Sequence, residues 1–363
     1  MPKTNPIKIA HIHVWDKKNK GDFAIVLAVQ ELLRQRFKGC VILDFPLTVL
    51  KSGTERDAEK INDADLVVIG GGGVFYSYFL PFNIKFVDRI KIPIILFGLG
   101  YIREIGSPEL SPKAIESAVY LADKAKAIGV RDNNTKIFLS DNGISPRRVK
   151  VIGDPSILLS EERPSVGKFK FLGKKNVGRK NKKSTPIRIG LNLNYSGWLG
   201  FGKWRKEILG AYREAVEYFM ENYAGSEGPG VEIYYLKHHP GEKNIYPELK
   251  IKGLKIVDLK PSEQKYLYGR LDLVIGMMLH SGVLSFGAGT PEISVAYDLR
   301  NYSFAEFIGC PELVVDLDKL EKGVLMERAK NVFEKKNFYR RIFLEKKNKI
   351  GMKLKNFLAE IEL

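Results

Sequence analysis

The chain has 363 residues, of which 44% are hydrophobic and 11% aromatic. That length exceeds one ordinary core and leads us to expect two domains. The composition is that of a globular protein and argues against disorder, and no uncharged apolar run is long enough for a transmembrane helix. The net charge of +17 is concentrated. Residues 161–186 carry nine Lys/Arg against two Glu, and residues 327–363 carry eleven against five acidic groups. These segments are either solvated lysines or surfaces drawn to an anionic membrane or acidic polymer. Neither contains a nucleic-acid-binding motif, so no nucleic-acid partner is expected. Two cysteines, Cys40 and Cys310, are too few for a disulfide framework. Together with a first segment that runs straight into a strand pattern, they set the expectation of a reducing, cytoplasmic location, with peripheral contact at the inner face of a membrane.

Strand and helix signals alternate from the start. Ile7–Val14 predicts a strand, Phe23–Phe37 a helix and Cys40–Phe45 a second strand. Asp65–Ile69 predicts a buried strand stopped by Gly70–Gly73. Then come a strand at Pro93–Phe97, a helix at Pro112–Lys126, a strand at Ala127–Val130, a helix at Asn134–Asn142 and a strand at Val149–Ile152. Such βαβ alternation predicts a parallel sheet with helices on both faces. The Gly-, Asn- and Lys-rich stretch 161–186 reads as a linker. Alternation restarts with strands at Ile187–Leu193 and Val231–Leu236 around a helix at Trp204–Tyr223. A strand at Lys255–Leu259, a helix at Ser262–Gly269, a strand at Leu273–Ile275, a helix opening at Ser281–Gly287 and a strand at Glu292–Ala296 follow. The expected division is an N-terminal Rossmann-like domain over 1–160, a basic linker over 161–186, a C-terminal Rossmann-like domain over 187–325 and a basic helical tail over 326–363. Two such α/β domains facing a cleft make a GT-B-like architecture.

Candidate site residues sit where strands hand over to helices. Asn19-Lys20-Gly21-Asp22 lies between the first strand and first helix, and reads either as a turn with Asp22 capping the helix or as the mouth of a ligand-facing loop. Gly70–Gly73 matches neither GxGxxG nor a Walker sequence, but bare backbone N–H groups suit an anion as well as they suit close packing. Arg131 presents a planar fork for carboxylate or phosphate, or an ion pair with Asp132 or Asp154. Lys237 and His238 follow a strand and suit an acidic ligand. The five histidines (His11, His13, His238, His239 and His280) show no zinc or iron spacing, so no metal is expected. His11 and His13 alternate along one strand, where they line its end or pack locally. His280 opens a helix just past a strand, and an unperturbed imidazole, with a pKa of about 6.5, can give or take a proton, which makes it the candidate proton donor.

Taken together, these blocks resemble the polysaccharide pyruvyl transferase family. The resemblance rests on Asn19-x-Gly21-Asp22, Ala64–Phe75, Gly129–Asp132, Gly153-Asp154 and Gly276–Asp298, in order across residues 7–300. It implies a GT-B-like fold and transfer of a pyruvyl group from phosphoenolpyruvate to a sugar of a polysaccharide or lipid-linked glycan precursor. It further implies a cyclic ketal product, and no cofactor beyond the donor substrate. On this resemblance His280 is the general acid. Asn19, Gly21, Asp22, Gly71, Gly72, Gly73, Arg131, Lys237, His238, Leu279 and Ser281 are the expected substrate contacts. One departure matters: the family's last block reads Arg-Leu-His, whereas this chain has Met278-Leu279-His280. Two rival readings follow from it: a nucleotide-sugar glycosyltransferase on the same scaffold, or a binding protein that has lost the reaction.

Overall fold

A computed structural model describes residues 6–165, 185–194, 200–224 and 230–362. Most of the basic linker, residues 166–184, lies outside them. The described part divides into two compact units. The first comprises residues up to Leu159 together with Asp298–Phe307 and Lys347–Leu363; the second comprises Ser160–Tyr297 and Ile308–Lys346.

The first unit is built on strands β1 (Lys8–His13), β2 (Val41–Pro46), β3 (Leu66–Phe75), β4 (Ile94–Tyr101), β5 (Ala127–Val130) and β6 (Val149–Val151). All pair in parallel, in the order β2-β1-β3-β4-β5-β6. Helix α1 (Lys20–Arg36) joins β1 to β2; α2 (Val49–Ser52) and α3 (Glu55–Asn62) precede β3; α4 (Ile84–Arg89), α5 (Pro112–Lys124) and α6 (Asn133–Asp141) complete the crossovers. The helix starts follow local chemistry. Asn19 caps α1 by accepting from the Gly21 and Asp22 amides, Thr54 and Asp57 form a reciprocal capping box on α3, and Ser111 caps α5 ahead of Pro112. Ala24, Ile25, Ala28, Val29, Leu32 and Leu33 form the buried stripe of α1. Strand β3 is buried at every residue, as a central parallel strand covered on both faces must be.

The second unit repeats the plan with β7 (Ile187–Leu191), β8 (Val231–Leu236), β9 (Lys255–Val257), β10 (Leu273–Gly276), β11 (Glu292–Ala296) and β12 (Val314–Asp316). They are again parallel, in the order β12-β11-β10-β7-β8-β9. Its helices are α7 (Gly200–Lys203), α8 (Arg205–Tyr223), α9 (Pro261–Tyr268) and α10 (Leu279–Ala288). Helix α11 (Leu299–Phe307) belongs to the first unit, α12 (Val324–Glu334) to the second, and the division falls within α13 (Lys336–Ala359). The end of α13 joins the first unit's core, where Phe357 stacks on Phe97 at 5.8 Å and Arg36 donates to the Leu358 and Ile361 carbonyls. No described helix is long and apolar enough to cross a membrane.

Three differences from the sequence reading have physical causes. The glycines do not stop the third strand; β3 runs through Gly70–Gly73 to Phe75, with an irregularity against β4 between Gly72 and Phe75. Helices α3 and α4 went unread because they are short, and α3 has only Ala58 and Ile61 buried. Helix α10 begins at Leu279, two residues earlier than expected, which draws His280 into its first turn.

Gly98 shows how tightly β4 is fitted. Its φ of +69° is unfavourable to any side chain, and a Cβ there would lie 2.5 Å from the rigid ring of Pro155. Gly39, at φ +76°, has nothing within 4 Å. We expect Gly98→Ala to cost about 2–4 kcal/mol, combining backbone strain with overpacking. Gly39→Ala should cost only the strain, about 1 kcal/mol. The two variants' melting temperatures, compared by calorimetry, check the difference.

Candidate functional site

Strand order picks out one crevice in each sheet. In the first, the chain leaves β1 for β2 on one side and β3 lies on the other. In the second, β8 and β10 flank β7 in the same way. The carboxyl ends of β1 and β3, and of β7 and β10, are therefore topological switch points, where open α/β sheets bind ligands.

At the first switch point the protein's own atoms fill the space. Gly21 is buried, and the capping duty expected of Asp22 falls to Asn19, whose Oδ1 accepts from the Gly21 amide at 3.1 Å. A Cβ on Gly71 would touch Val26 and Ile25, and one on Gly72 would lie 3.2 Å from Asp22 Oδ1. A Cβ on Gly73 would collide with Ile102 at 1.9 Å. Positive φ at Gly71 and Gly72, facing α1, and the close approach of Ile102 to Gly73 favour the close-packing reading of these glycines. Arg131 meets both carboxylates: its side chain is 4% exposed, with Nε 3.1 Å from Asp132 Oδ2 and Nη1 3.8 Å from Asp154 Oδ2, while Nη1 and Nη2 are buried without a hydrogen-bond partner among the described residues. Gly100 makes room for it, since a Cβ there would meet the guanidinium at 2.3 Å.

The second switch point is organised by buried polar side chains. Asn192, just past β7 and fully buried, accepts at Oδ1 from the Met278 amide at 3.1 Å and donates through Nδ2 to the Leu236 carbonyl at 3.0 Å. One carboxamide therefore links the ends of β7 and β8 to the residue that precedes α10. Glu242 is also fully buried; its Oε1 accepts from the His238 and His239 amides at 3.0 and 2.7 Å, and its Oε2 from the Tyr235 hydroxyl at 2.8 Å. These three hydrogen bonds converging on one carboxyl group offset its removal from water.

His280 occupies the second position of α10, 7% exposed, with Leu279 at 4% and Ser281 fully buried beside it. The amino end of α10 carries the positive pole of the helix. Ser281 Oγ lies 2.9 Å from the Met278 carbonyl and 2.6 Å from Glu292 Oε1. Complete burial pushes the Glu292 carboxyl well above its usual range, which favours its neutral form. Met278 is half-buried at the helix start, with its sulfur 4.0 Å from the Tyr297 hydroxyl.

The structure thus brings His280, Leu279 and Ser281 together with Asn192, Met278 and Tyr297. His238 lies behind this group, fully buried, with its Nε2 2.8 Å from the Tyr268 hydroxyl. Lys237 closes an ion pair with Asp258 at 2.6 Å. His238 thus packs against Tyr268 and Lys237 pairs with Asp258. The residues that reading missed were Asn192, Glu242 and Glu292. A signal existed for two of them: an asparagine directly follows the apolar run of β7, and His239-Pro240-Gly241-Glu242 has capping-box spacing.

Two six-stranded parallel sheets, each covered by helices, define a protein of the two-domain, GT-B-like α/β class. Solved structures of this class superpose on nearly the whole chain. Anabaena Alr3699/HepE in complex with UDP-glucose aligns with a TM-score of 0.57 at 13% identity, covering 98% of both chains. The UDP-GlcNAc 2-epimerase of Neisseria meningitidis bound to UDP-GlcNAc aligns with a TM-score of 0.53 at 13% identity, covering 93% of this chain and 94% of that one. Within the class, residues 19–298 match the polysaccharide pyruvyl transferase family, and the chain belongs to it. The amylovoran biosynthesis protein AmsJ of Erwinia amylovora is 18% identical over 293 residues, or 76% of this chain and 67% of that protein. The protein is accordingly a transferase of glycan assembly.

The raised pKa of Glu292 has a measurable consequence. Because its folded pKa lies above the unfolded value of 4.5, the native state retains a proton that the unfolded chain loses. This group's contribution to stability is therefore full below about pH 4.5 and is lost as pH rises toward the folded pKa. Glu292→Gln keeps the shape and the neutral charge, so it should flatten the stability profile between about pH 5 and 8 and raise stability at the upper end. Urea unfolding across that range checks it; an unchanged slope would count against a neutral Glu292.

Proposed function

We propose that this transferase moves a pyruvyl group from phosphoenolpyruvate onto two hydroxyls of a polysaccharide or lipid-linked glycan precursor, with His280 as the general acid. The observation that carries the reading is the placement of His280 in the first turn of α10 at the switch point between β7 and β10. The positive end of a helix favours an anionic donor. An imidazole there has the chemistry to deliver one proton to the donor's methylene carbon. That protonation leaves positive charge on the neighbouring carbon. One sugar hydroxyl adds to it and releases its proton, inorganic phosphate departs, and a second hydroxyl closes the ketal with loss of its own proton. Asn192 and Ser281 hold the first turn of α10 in place for this step.

The acceptor class follows from the family, and exopolysaccharide assembly fits the amylovoran relative. Met278 bears on the donor. A bidentate guanidinium contact contributes roughly 1.5–3 kcal/mol per charge-assisted bond, and this chain lacks it at that position. The same gap favours a second reading, transfer of a sugar from a nucleoside-diphosphate donor. That reading draws support from relatives of the same fold that were solved with UDP or UDP-sugars.

Incubation with phosphoenolpyruvate and a panel of glycans should release phosphate in step with ketal formation. His280→Ala should lower kcat about 100-fold or more while leaving the melting temperature within a few degrees. Stabilisation by UDP with no response to phosphoenolpyruvate would transfer support to the second reading. Met278→Arg should lower the KM for phosphoenolpyruvate about tenfold or more in steady-state assays, since it restores the missing charge-assisted contact. A KM unchanged by that substitution would show that the donor does not approach this position.

A further inference from the structure

Outside the α10 region, one side-chain cluster in the first unit has no part in the proposed transfer and does not rest on it. His11 and His13 point from β1 to the same face of the sheet, and Asp44 of β2 stands in register with His11. Their ligating atoms lie within 4.8 Å of one another. Gln30 of α1 reaches in from above, its Nε2 2.7 Å from Asp44 Oδ1 and 3.5 Å from His11 Nδ1.

The hydrogen bonds fix the tautomer of His11 and leave both nitrogens of His13 facing acceptors. His11 Nε2 lies 3.2 Å from the Gly70 carbonyl, and a carbonyl only accepts, so Nε2 carries the proton and Nδ1 keeps its lone pair. His13 Nδ1 lies 3.0 Å from the Val14 carbonyl, which leaves the lone pair of a neutral ring on Nε2. That nitrogen is 2.9 Å from Asp44 Oδ1. Two lone pairs at that distance repel unless a proton or a metal cation lies between them. Histidines that bind metals commonly donate their second N–H to a backbone carbonyl, which orients the ring, and both rings do so here. The other groups facing the cluster are Trp15, stacked on His13 at 5.2 Å, and the cation of Arg34.

We propose that His11 Nδ1, His13 Nε2 and Asp44 Oδ1 form a binding site for a first-row divalent transition-metal ion. Two imidazoles and a carboxylate suit zinc or cobalt and not calcium or magnesium, which take all-oxygen shells. Closing on an ion at ~2.0–2.2 Å requires side-chain shifts of about an ångström. Asp44, whose side chain is 40% exposed, supplies both that movement and the path by which the ion enters. Gln30 orients the carboxylate, and turning its amide over would present Oε1 as a further ligand. Three protein ligands leave a position for water. The ion would pin β1, β2 and α1 together at the edge of the sheet. Sequence spacing alone hid the site, because Asp44 arrives from the neighbouring strand.

The test uses the full-length protein stripped with EDTA and titrated with Co2+, followed by visible d–d absorption, with Zn2+ as competitor. The expected result is one equivalent of Co2+ per chain at micromolar concentration, displaced by Zn2+, with a rise in melting temperature. Asp44→Asn, which preserves shape at an exposed position, should weaken binding about tenfold or more, and His13→Ala should abolish the d–d bands. Circular dichroism of the metal-free variants separates loss of ligand from loss of fold. Absence of stoichiometric binding by the parent would overturn the proposal. Binding unchanged in Asp44→Asn would overturn it as well, and a proton shared between His13 and Asp44 would then fill the gap.

Discussion

The second unit's site depends on the Asn192 carboxamide. A parallel sheet leaves its strands' last backbone groups unpaired at the carboxyl edge, and the helix that follows leaves its first amides unpaired. Asn192 answers both needs with one planar group, accepting from the Met278 amide and donating to the Leu236 carbonyl. It thereby fixes the start of α10 against the ends of β7 and β8. His280 is the second residue of that helix, so its position follows from this bond. A buried amide that loses one partner costs about 1–3 kcal/mol, which explains why such a group, once satisfied, specifies a single geometry.

Around it the protein places two carboxyl groups in different surroundings. Glu242 gathers backbone amides and a tyrosine hydroxyl on both oxygens. Glu292 has Ser281 alone as a hydrogen-bond partner among the described residues, at Oε1, and burial favours its neutral form. The first ties the turn after β8 to the sheet; the second sits beneath the first turn of α10. Gly276 leaves room for this arrangement, since a Cβ there would lie 2.3 Å from Ser281 Oγ and 2.6 Å from Glu292 Oε1. The first turn of α10 is thus backed by acids that are buried or internally hydrogen-bonded, which limits negative charge there.

The parallel α/β plan was legible in the sequence because its signals are local. Ala127–Val130, Val231–Leu236 and Glu292–Ala296 form strands within the bounds their β-branched runs predict. His280 was legible for the same reason, lying between an apolar strand and a small-residue helix. What escaped the reading is non-local. Whether Gly73 meets a ligand or Ile102, and whether Arg131 meets a phosphate or Asp154, depends on residues about 20–30 positions away. The pairing of His11 with Asp44 is set by strand register, which periodicity does not encode. The short helices α3 and α4 carry too few apolar residues for a 3.6-residue pattern to stand out.

The most direct measurement is a crystal structure with phosphoenolpyruvate, or a non-reactive analogue of it, bound to the protein. The account predicts the ligand's anionic groups at the amino end of α10 and its methylene carbon about 3–3.5 Å from the His280 imidazole, a near-attack distance. Density for the ligand elsewhere, or an imidazole that remains turned away from it, would contradict the account.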